Sequence, residues 1–210
     1  MPHIFITGAT GLVGSATVDE LINHGHKITA LARSDESARK LESIRGGLTD
    51  FETLKQAAGD SSIDGVIHLA FVHNFDEYTQ VSELDVLAIK ALGEPLEGTN
   101  KPFIVSSTVG GLDIKSDDGV SAESDIQKPA FPRKGENTAL ELSKNGVTTI
   151  SMRLPPTVHA GQLDKGFIRI LMNSAIKNKK AVYVEPSHWS AVHVSDAAKA
   201  YRLAFEAGLK

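Results

Sequence analysis

The chain has 210 residues, 41% of them hydrophobic and 23% charged, with a formal charge of −4. That length and balance fit one globular domain with a substantial core, and the scattered Lys and Arg form no basic stripe of the kind that nucleic acid requires. No apolar run reaches the roughly 18 residues of a membrane span, and without cysteine there is no disulfide, thiol nucleophile or thiolate metal site.

The chain opens on a strand in place of a signal segment, which points to a cytoplasmic protein. Ile4, Phe5 and Ile6 run directly into Thr7-Gly8-Ala9-Thr10-Gly11-Leu12-Val13-Gly14, and Val13, Ala16, Thr17 and Leu21 then carry helical spacing. Strand, glycine turn and helix start in this order form a cradle for nucleotide phosphates. Gly8 permits the tight turn, Gly11 lets the backbone approach a pyrophosphate, and Gly14 lets the helix pack close to the sheet. The helix aims its unpaired N–H groups and positive dipole end at the phosphates. His24 and His26 flank Gly25 at the helix end, where a solvated cap is expected.

Residues 27–32 predict the second strand, which runs into Arg33 and Ser34. A helix is expected over 37–43 and another over 51–58, with Asp50 as its cap. Residues 65–70 have the continuous apolar character of a buried parallel strand, and alternation turns His68 into the packed sheet. Helical spacing covers 77–96, with Val81, Leu84, Leu87, Ala88 and Ala91 on one side. Residues 102–106 are the next strand, and 110–132, with several glycines, prolines and acids, form a surface loop or active-site margin. A helix over 134–144, a strand over 147–152, a helix over 166–177 and a strand over 181–184 follow. Ser195 is expected to cap the final helix, with Asp196 at its dipole-positive end. The alternation predicts an α/β fold, a doubly wound parallel sheet with helices on both faces and a ligand crevice at the carboxyl ends of the strands. The eight histidines show no pair at helical ligand spacing beside an acid, so no metal site is expected.

The spacing Gly8-x-x-Gly11-x-x-Gly14 resembles that of the short-chain dehydrogenase/reductase superfamily, most of all its extended and atypical branches. Three further blocks carry the resemblance over nearly the whole chain: Asp64-Gly65-Val66-Ile67-His68-Leu69-Ala70-Phe71, Arg153-Leu154-Pro155-Pro156-Thr157-Val158-His159 and Trp189-Ser190-Ala191-Val192-His193-Val194-Ser195-Asp196-Ala197-Ala198. The chain is thus similar to atypical NAD(P)-dependent epimerase/dehydratase-like proteins. The resemblance implies a single NAD(P)-binding Rossmann domain over 1–210, with about 155–195 contributing a substrate-side region that is small or truncated. It also implies a small-molecule carbonyl substrate, no nucleic acid, no membrane, and a monomer or homodimer, because the helices around 77–96 and 134–144 occupy the places where relatives pair.

Gly8, Thr10, Gly11, Leu12, Val13 and Gly14 are the expected phosphate-binding residues. An acid at the end of the second strand suits the ribose hydroxyls of NAD, whereas a cation suits a 2′-phosphate. Arg33, with its forked guanidinium, and the Ser34 hydroxyl therefore favour NADP(H) over NAD(H). The family pattern also puts Leu48 against adenine, although the acid common near Gly47 is lacking here. Leu69, Ala70 and Phe71 would line the adenine ribose, and Ser106, Leu154, Pro155 and Val158 complete the cofactor residues.

For catalysis, relatives place a Ser or Thr after the fifth strand and Tyr-x-x-x-Lys on the next helix. Ser106-Ser107-Thr108 matches the first element and the second is missing. Tyr78, Tyr183 and Tyr201 all lack a lysine four positions on, while Arg133 stands in the expected Tyr place and Asn137 in the expected Lys place. Thr108 or Ser107 is expected to bind a carbonyl, and Arg133 or Lys134 to contact ribose or stabilise developing negative charge. His159 and His193 are expected in hydrogen-bonded structural roles. The leading reading is an NADPH-linked oxidoreductase acting on a small aldehyde or ketone. A non-catalytic, NADP-sensing regulator and a nucleotide-sugar epimerase or dehydratase are the alternatives.

Overall fold

The computed structural model describes residues 1–34, 42–74, 76–114, 119–161, 164, 166–182 and 190–210. In chain order these form β1 (His3–Thr7), α1 (Leu12–Asn23), β2 (Lys27–Ala32), β3 (Glu42–Arg45), α2 (Phe51–Gly59), β4 (Gly65–His68) and α3 (Tyr78–Gly93). A short 3-10 turn, Glu94–Leu96, leads to β5 (Pro102–Thr108), α4 (Gly135–Ser143), β6 (Thr148–Leu154), β7 (Thr157–His159), α5 (Phe167–Asn178), β8 (Ala191–His193) and α6 (Val194–Gly208).

The main sheet has the order β3-β2-β1-β4-β5-β6, and every pair in it is parallel. The order reverses between β1 and β4, where Thr7 lies opposite His68, so the crevice opens beyond these two carboxyl ends. Side chains alternate across the sheet. Phe5, Val66, Phe103 and Val105 point to one face and pack with Leu54, Ala58, Ile89 and Leu92 from α2 and α3. Ile4, Ile6, Ile67 and Ile104 point to the other and pack with Val18 and Leu21 of α1 and Tyr201 and Phe205 of α6. The expected doubly wound α/β architecture is therefore present. No helix among the described residues is long and apolar enough to cross a membrane.

Several local expectations change. Glu42 and Ser43 belong to the parallel edge strand β3, not to a helix, and 37–41 lie outside the described residues. β3 escaped notice because its polar sequence, Glu-Ser-Ile-Arg, is that of a solvated edge. Ala181 and Val182 are exposed and outside any strand, while 183 and 184 are not among the described residues. A second, two-stranded parallel sheet pairs β7 with β8 instead. On α3 the buried stripe includes Val81, Ala88 and Ala91 as expected, with Ser82, Asp85, Ile89 and Leu92; Leu84 is half-buried and Leu87 faces outward at 49% exposure, so the stripe is rotated toward two polar residues. His26 is buried rather than solvated, with its ring edge-on to Phe205 and its Nε2 3.1 Å from Glu206 Oε1.

Asp50 caps α2 as expected, accepting from the Thr53 amide at 3.3 Å and from the Thr53 hydroxyl at 2.7 Å. The cap of α6 is His193, whose Nδ1 accepts from the Ser195 amide; Ser195 sits inside the first turn. The helix starts two residues early because β8 runs straight into it and leaves no loop residue between them.

Candidate active site

The turn after β1 is shaped by what it leaves out. Gly8 has φ +77°, and a Cβ there would lie 2.6 Å from the Ala70 amide nitrogen, so the turn rests directly on the chain leaving β4. A Cβ on Gly14 would collide with the Gly8 carbonyl oxygen. Its bareness therefore lets the first turn of α1 close onto the chain as it leaves β1. Gly11 differs, because a Cβ there meets only the Gly8 oxygen at 3.3 Å, and the residue is exposed. No side chain caps α1 and no acid stands in its first turn. Its free amides, around Leu12, Val13 and Gly14, and its dipole are open to an anion. A bare glycine cradle under an uncapped helix start fits the pyrophosphate of a dinucleotide.

Around this cradle, Thr10, Arg33 and Ser34 are exposed, and Leu48 is half-buried against the α2 side of the core. β4 ends at His68, two residues before the expected end. The Leu69 amide still donates to the Thr7 carbonyl, but the Ala70 amide turns to Thr7 Oγ1 at 3.4 Å, and the ladder stops. His68 is a satisfied core residue: Nδ1 lies 2.6 Å from Thr7 Oγ1 and Nε2 3.2 Å from Asp85 Oδ1.

The end of β5 separates the three hydroxyls that the sequence offers together. Ser106 Oγ donates to the His68 carbonyl and accepts from Tyr201, both at 2.8 Å, so it is occupied within the core. Ser107 points to the opposite face, is 3% exposed, bonds to Glu136, and accepts from Gln127 Nε2 at 3.2 Å. Thr108 is half-buried, and its Oγ1 accepts from the Gly110 amide at 3.1 Å. Among the described residues its own O–H has no acceptor, which distinguishes it from both serines.

Arg133 lies across the ends of β4 and β5. Its Nη2 donates to the Ser106 carbonyl at 3.1 Å, its guanidinium carbon sits 4.2 Å from the Phe71 ring centroid, and its Nε is 3.8 Å from Asp85 Oδ2. Phe71, expected to line a ribose, is thus the platform of this cation, while Leu69 and Ala70 are half-buried beside it. Lys134 is exposed at the N-cap of α4, and Asn137, in the expected Lys place, is half-buried on its first turn.

Glu136 and Arg153, to which the sequence assigns no role of their own, form an ion pair. Glu136 is 1% exposed, and Arg153 holds both its oxygens, with Nε at 3.1 and 3.0 Å and Nη2 at 2.7 Å from Oε1; Ser151 Oγ adds a donor at 2.8 Å. Burial pushes the Glu136 carboxyl up, but hydrogen bonds from Arg153, Ser107 and Ser151 and the Arg153 charge outweigh it and hold the group below its ordinary value. Arg153 also donates to the carbonyls of Ala122, Glu123 and Asp125. Gln127 Nε2 reaches Ser107 Oγ and the Thr108 and Gly110 carbonyls. Together they fasten the loop after β5 over the strand ends. A legible signal existed: Glu136 shares helical spacing with buried Ala139 and Leu142, which puts an acid on an apolar face.

Beyond β6, Leu154 and Pro155 are half-buried, and Val158 pairs with Val192. The rings of His159 and His193 meet edge-on at 5.1 Å, and His193 Nδ1 is 2.7 Å from Ser195 Oγ, in keeping with structural roles. A cleft of about 420 Å³ between β7 and α5 is lined by His159, Asp164, Ile168, Arg169 and Met172. α5 buries none of its residues; Leu171 is 62% and Ile176 72% exposed.

A model of the NAD dependent epimerase/dehydratase family matches residues 4–94, from β1 to the end of α3. The chain is 42% identical over 220 aligned residues to the uncharacterized protein YLL056C of Saccharomyces cerevisiae, across 98% of this chain and 71% of that protein. It is 24% identical over 220 residues to the 4-hydroxy-2-methyl-3-oxo-4-farnesyl-3,4-dihydroquinoline-1-oxide ketoreductase of Stigmatella aurantiaca, across 97% of this chain and 64% of that one. The Bordetella bronchiseptica enzyme WbmH, solved in complex with NAD+, superposes with a TM-score of 0.79 at 21% identity, over 98% of this chain and 73% of that chain, and so shares the fold. With this sheet order and this glycine turn, the chain belongs to the NAD-dependent epimerase/dehydratase family, within the extended short-chain dehydrogenase/reductases.

Proposed function

We propose that the protein is an NADPH-linked oxidoreductase that reduces a small aldehyde or ketone. The observation that carries this reading is the O–H of Thr108, which has no acceptor among the described residues and lies half-buried at the carboxyl end of β5, two residues beyond the Ser106 carbonyl that holds the guanidinium of Arg133. Reduced nicotinamide, when bound, supplies a hydride to the carbonyl carbon. Thr108 donates a hydrogen bond to the carbonyl oxygen and orients it. Arg133 offers positive charge to the oxygen as it becomes an alkoxide, before a proton completes the alcohol. Arg33, exposed just beyond β2, suits the 2′-phosphate that marks NADP. Similarity to a protein named as a ketoreductase supports the same reaction class.

A panel of small aldehydes and ketones, followed by NADPH oxidation, tests the reading. Thr108→Val is expected to lower kcat about 100-fold on any substrate turned over, as for loss of a donor at a developing oxyanion. Full activity in that variant, or no turnover across the panel, would overturn it. Arg33→Ala is expected to weaken NADPH binding about tenfold and leave NADH binding unchanged; equal affinities for the two cofactors in the unaltered chain would remove the role given to Arg33.

A second reading, an NADP-sensing regulator, draws on Tyr201. Burial pushes its pKa up to about 12 and its hydroxyl is committed to Ser106, so it supplies no proton to a substrate. Tight NADPH binding without turnover would favour the sensor. UDP-glucose incubated with the protein and NAD+, followed by separation of the sugar nucleotides to detect an epimer or a dehydrated product, tests the nucleotide-sugar alternative.

A further inference from the structure

We propose that Asp85 is the positioning residue for Arg133, and that this pair sets the half of the site that receives the nicotinamide riboside. The inference rests on the expectation that Arg133 contacts the nicotinamide ribose of a bound cofactor, in addition to the charge it offers the substrate oxygen. Asp85 lies on the buried stripe of α3 and is 3% exposed, a depth at which a carboxylate persists only with partners. One oxygen, Oδ1, lies 3.2 Å from His68 Nε2. A carboxylate only accepts, so the imidazole carries its proton on Nε2 and its Nδ1 accepts from the Thr7 hydroxyl at 2.6 Å. Thr7 Oγ1 in turn accepts from the Ala70 amide, whose nitrogen a Cβ on Gly8 would strike. The chain of donors is therefore directional, from the β1 turn to the carboxylate.

The second oxygen, Oδ2, has no hydrogen-bond partner, and neither does Arg133 Nε, which faces it across 3.8 Å. Gly135 supplies the room, since a Cβ there would stand 2.7 Å from Oδ2. The other contacts of Arg133 are a carbonyl and an aromatic ring, both uncharged. Among the described residues, Asp85 is the anion within ion-pair range of this cation. It fixes the direction of the guanidinium over the β5 end and joins it to the turn that would hold the phosphates.

The test compares dissociation constants for NADP+ and for 2′,5′-ADP, which lacks the nicotinamide riboside, on the full chain and on Asp85→Asn, Arg133→Ala and the double variant. If NAD+ binds more tightly than NADP+, then NAD+ and 5′-ADP take their places. Each single variant is expected to weaken the dinucleotide about tenfold and leave the fragment unchanged, and the double variant to be no weaker than Arg133→Ala alone. Asp85→Ser, smaller and uncharged, serves the same comparison should the amide variant not fold. Equal losses for dinucleotide and fragment would reduce Asp85 to a support of the fold. Additive losses in the double variant, or an Asp85 variant that binds normally while Arg133→Ala does not, would overturn the positioning role alone. An Arg133→Ala chain that binds the dinucleotide unchanged would overturn the reading of Arg133 and this inference with it.

Discussion

Arg153→Ala is expected to cost about 3 to 5 kcal/mol of folding stability, because it leaves the Glu136 carboxylate, with none of its side chain exposed, without its counter-charge. The same change frees three carbonyls of the loop that lies over the β5 end, so the loss extends to the site margin. Denaturant midpoints of the two proteins measure it, and a difference below about 1 kcal/mol would mean that the pair contributes no more than an exposed one. The pH dependence has a definite sign. The Glu136 pKa is lowered in the folded chain, so its contribution is complete above the ordinary value of 4.5 and is lost as pH falls through the lowered folded-state value. In Arg153→Ala, burial acts unopposed by that guanidinium and favours the protonated acid. The stability gap between the two proteins should therefore narrow in acid.

The glycines of the β1 turn should divide into two classes when each is replaced by alanine. Gly14→Ala forces a Cβ into the Gly8 carbonyl, and Gly8→Ala adds a left-handed backbone to a contact at 2.6 Å; each should cost about 3 kcal/mol or more in the absence of any ligand. Gly11→Ala meets one oxygen at 3.3 Å and should leave the melting temperature within about 4 °C of the parent, equivalent to roughly 1 kcal/mol. Yet it places a methyl group where a pyrophosphate would approach, and NADPH binding should fall by about 100-fold or more. Thermal melts and calorimetric titrations on the same three variants separate the classes. A Gly11→Ala chain that binds NADPH as the parent does would remove the phosphate from this turn.

Legibility in the sequence followed chemistry that is local. The glycine turn, the apolar strands and the Asp50 cap are written in consecutive residues, and the structure returns them nearly unshifted. β3 was not readable, because a short polar edge strand has no apolar period and is defined by the neighbour it pairs with. The vacant Tyr-x-x-x-Lys positions were visible, but their replacement was not. Asp85, Arg133 and Phe71 come from three separate segments that only the sheet order brings together. Likewise Ser107 and Thr108 look equivalent side by side, and only the opposite directions of neighbouring side chains on β5 show that one hydroxyl is engaged and the other, among the described residues, has no acceptor.

The packing of α6 also bears on biosynthesis. Tyr201 and Phe205 complete the layer against Ile4, Ile6, Ile67 and Ile104, and Arg202 ties the helix to Glu20 of α1 at 2.8 Å. The face of β1 that α1 covers in part is thus completed only when a helix made nearly two hundred residues later has emerged. Such long-range closure slows folding and exposes the central strands to association with other chains. A nascent chain released before residue 194 would keep the α1 side of that cover and lack the part that Tyr201 and Phe205 supply.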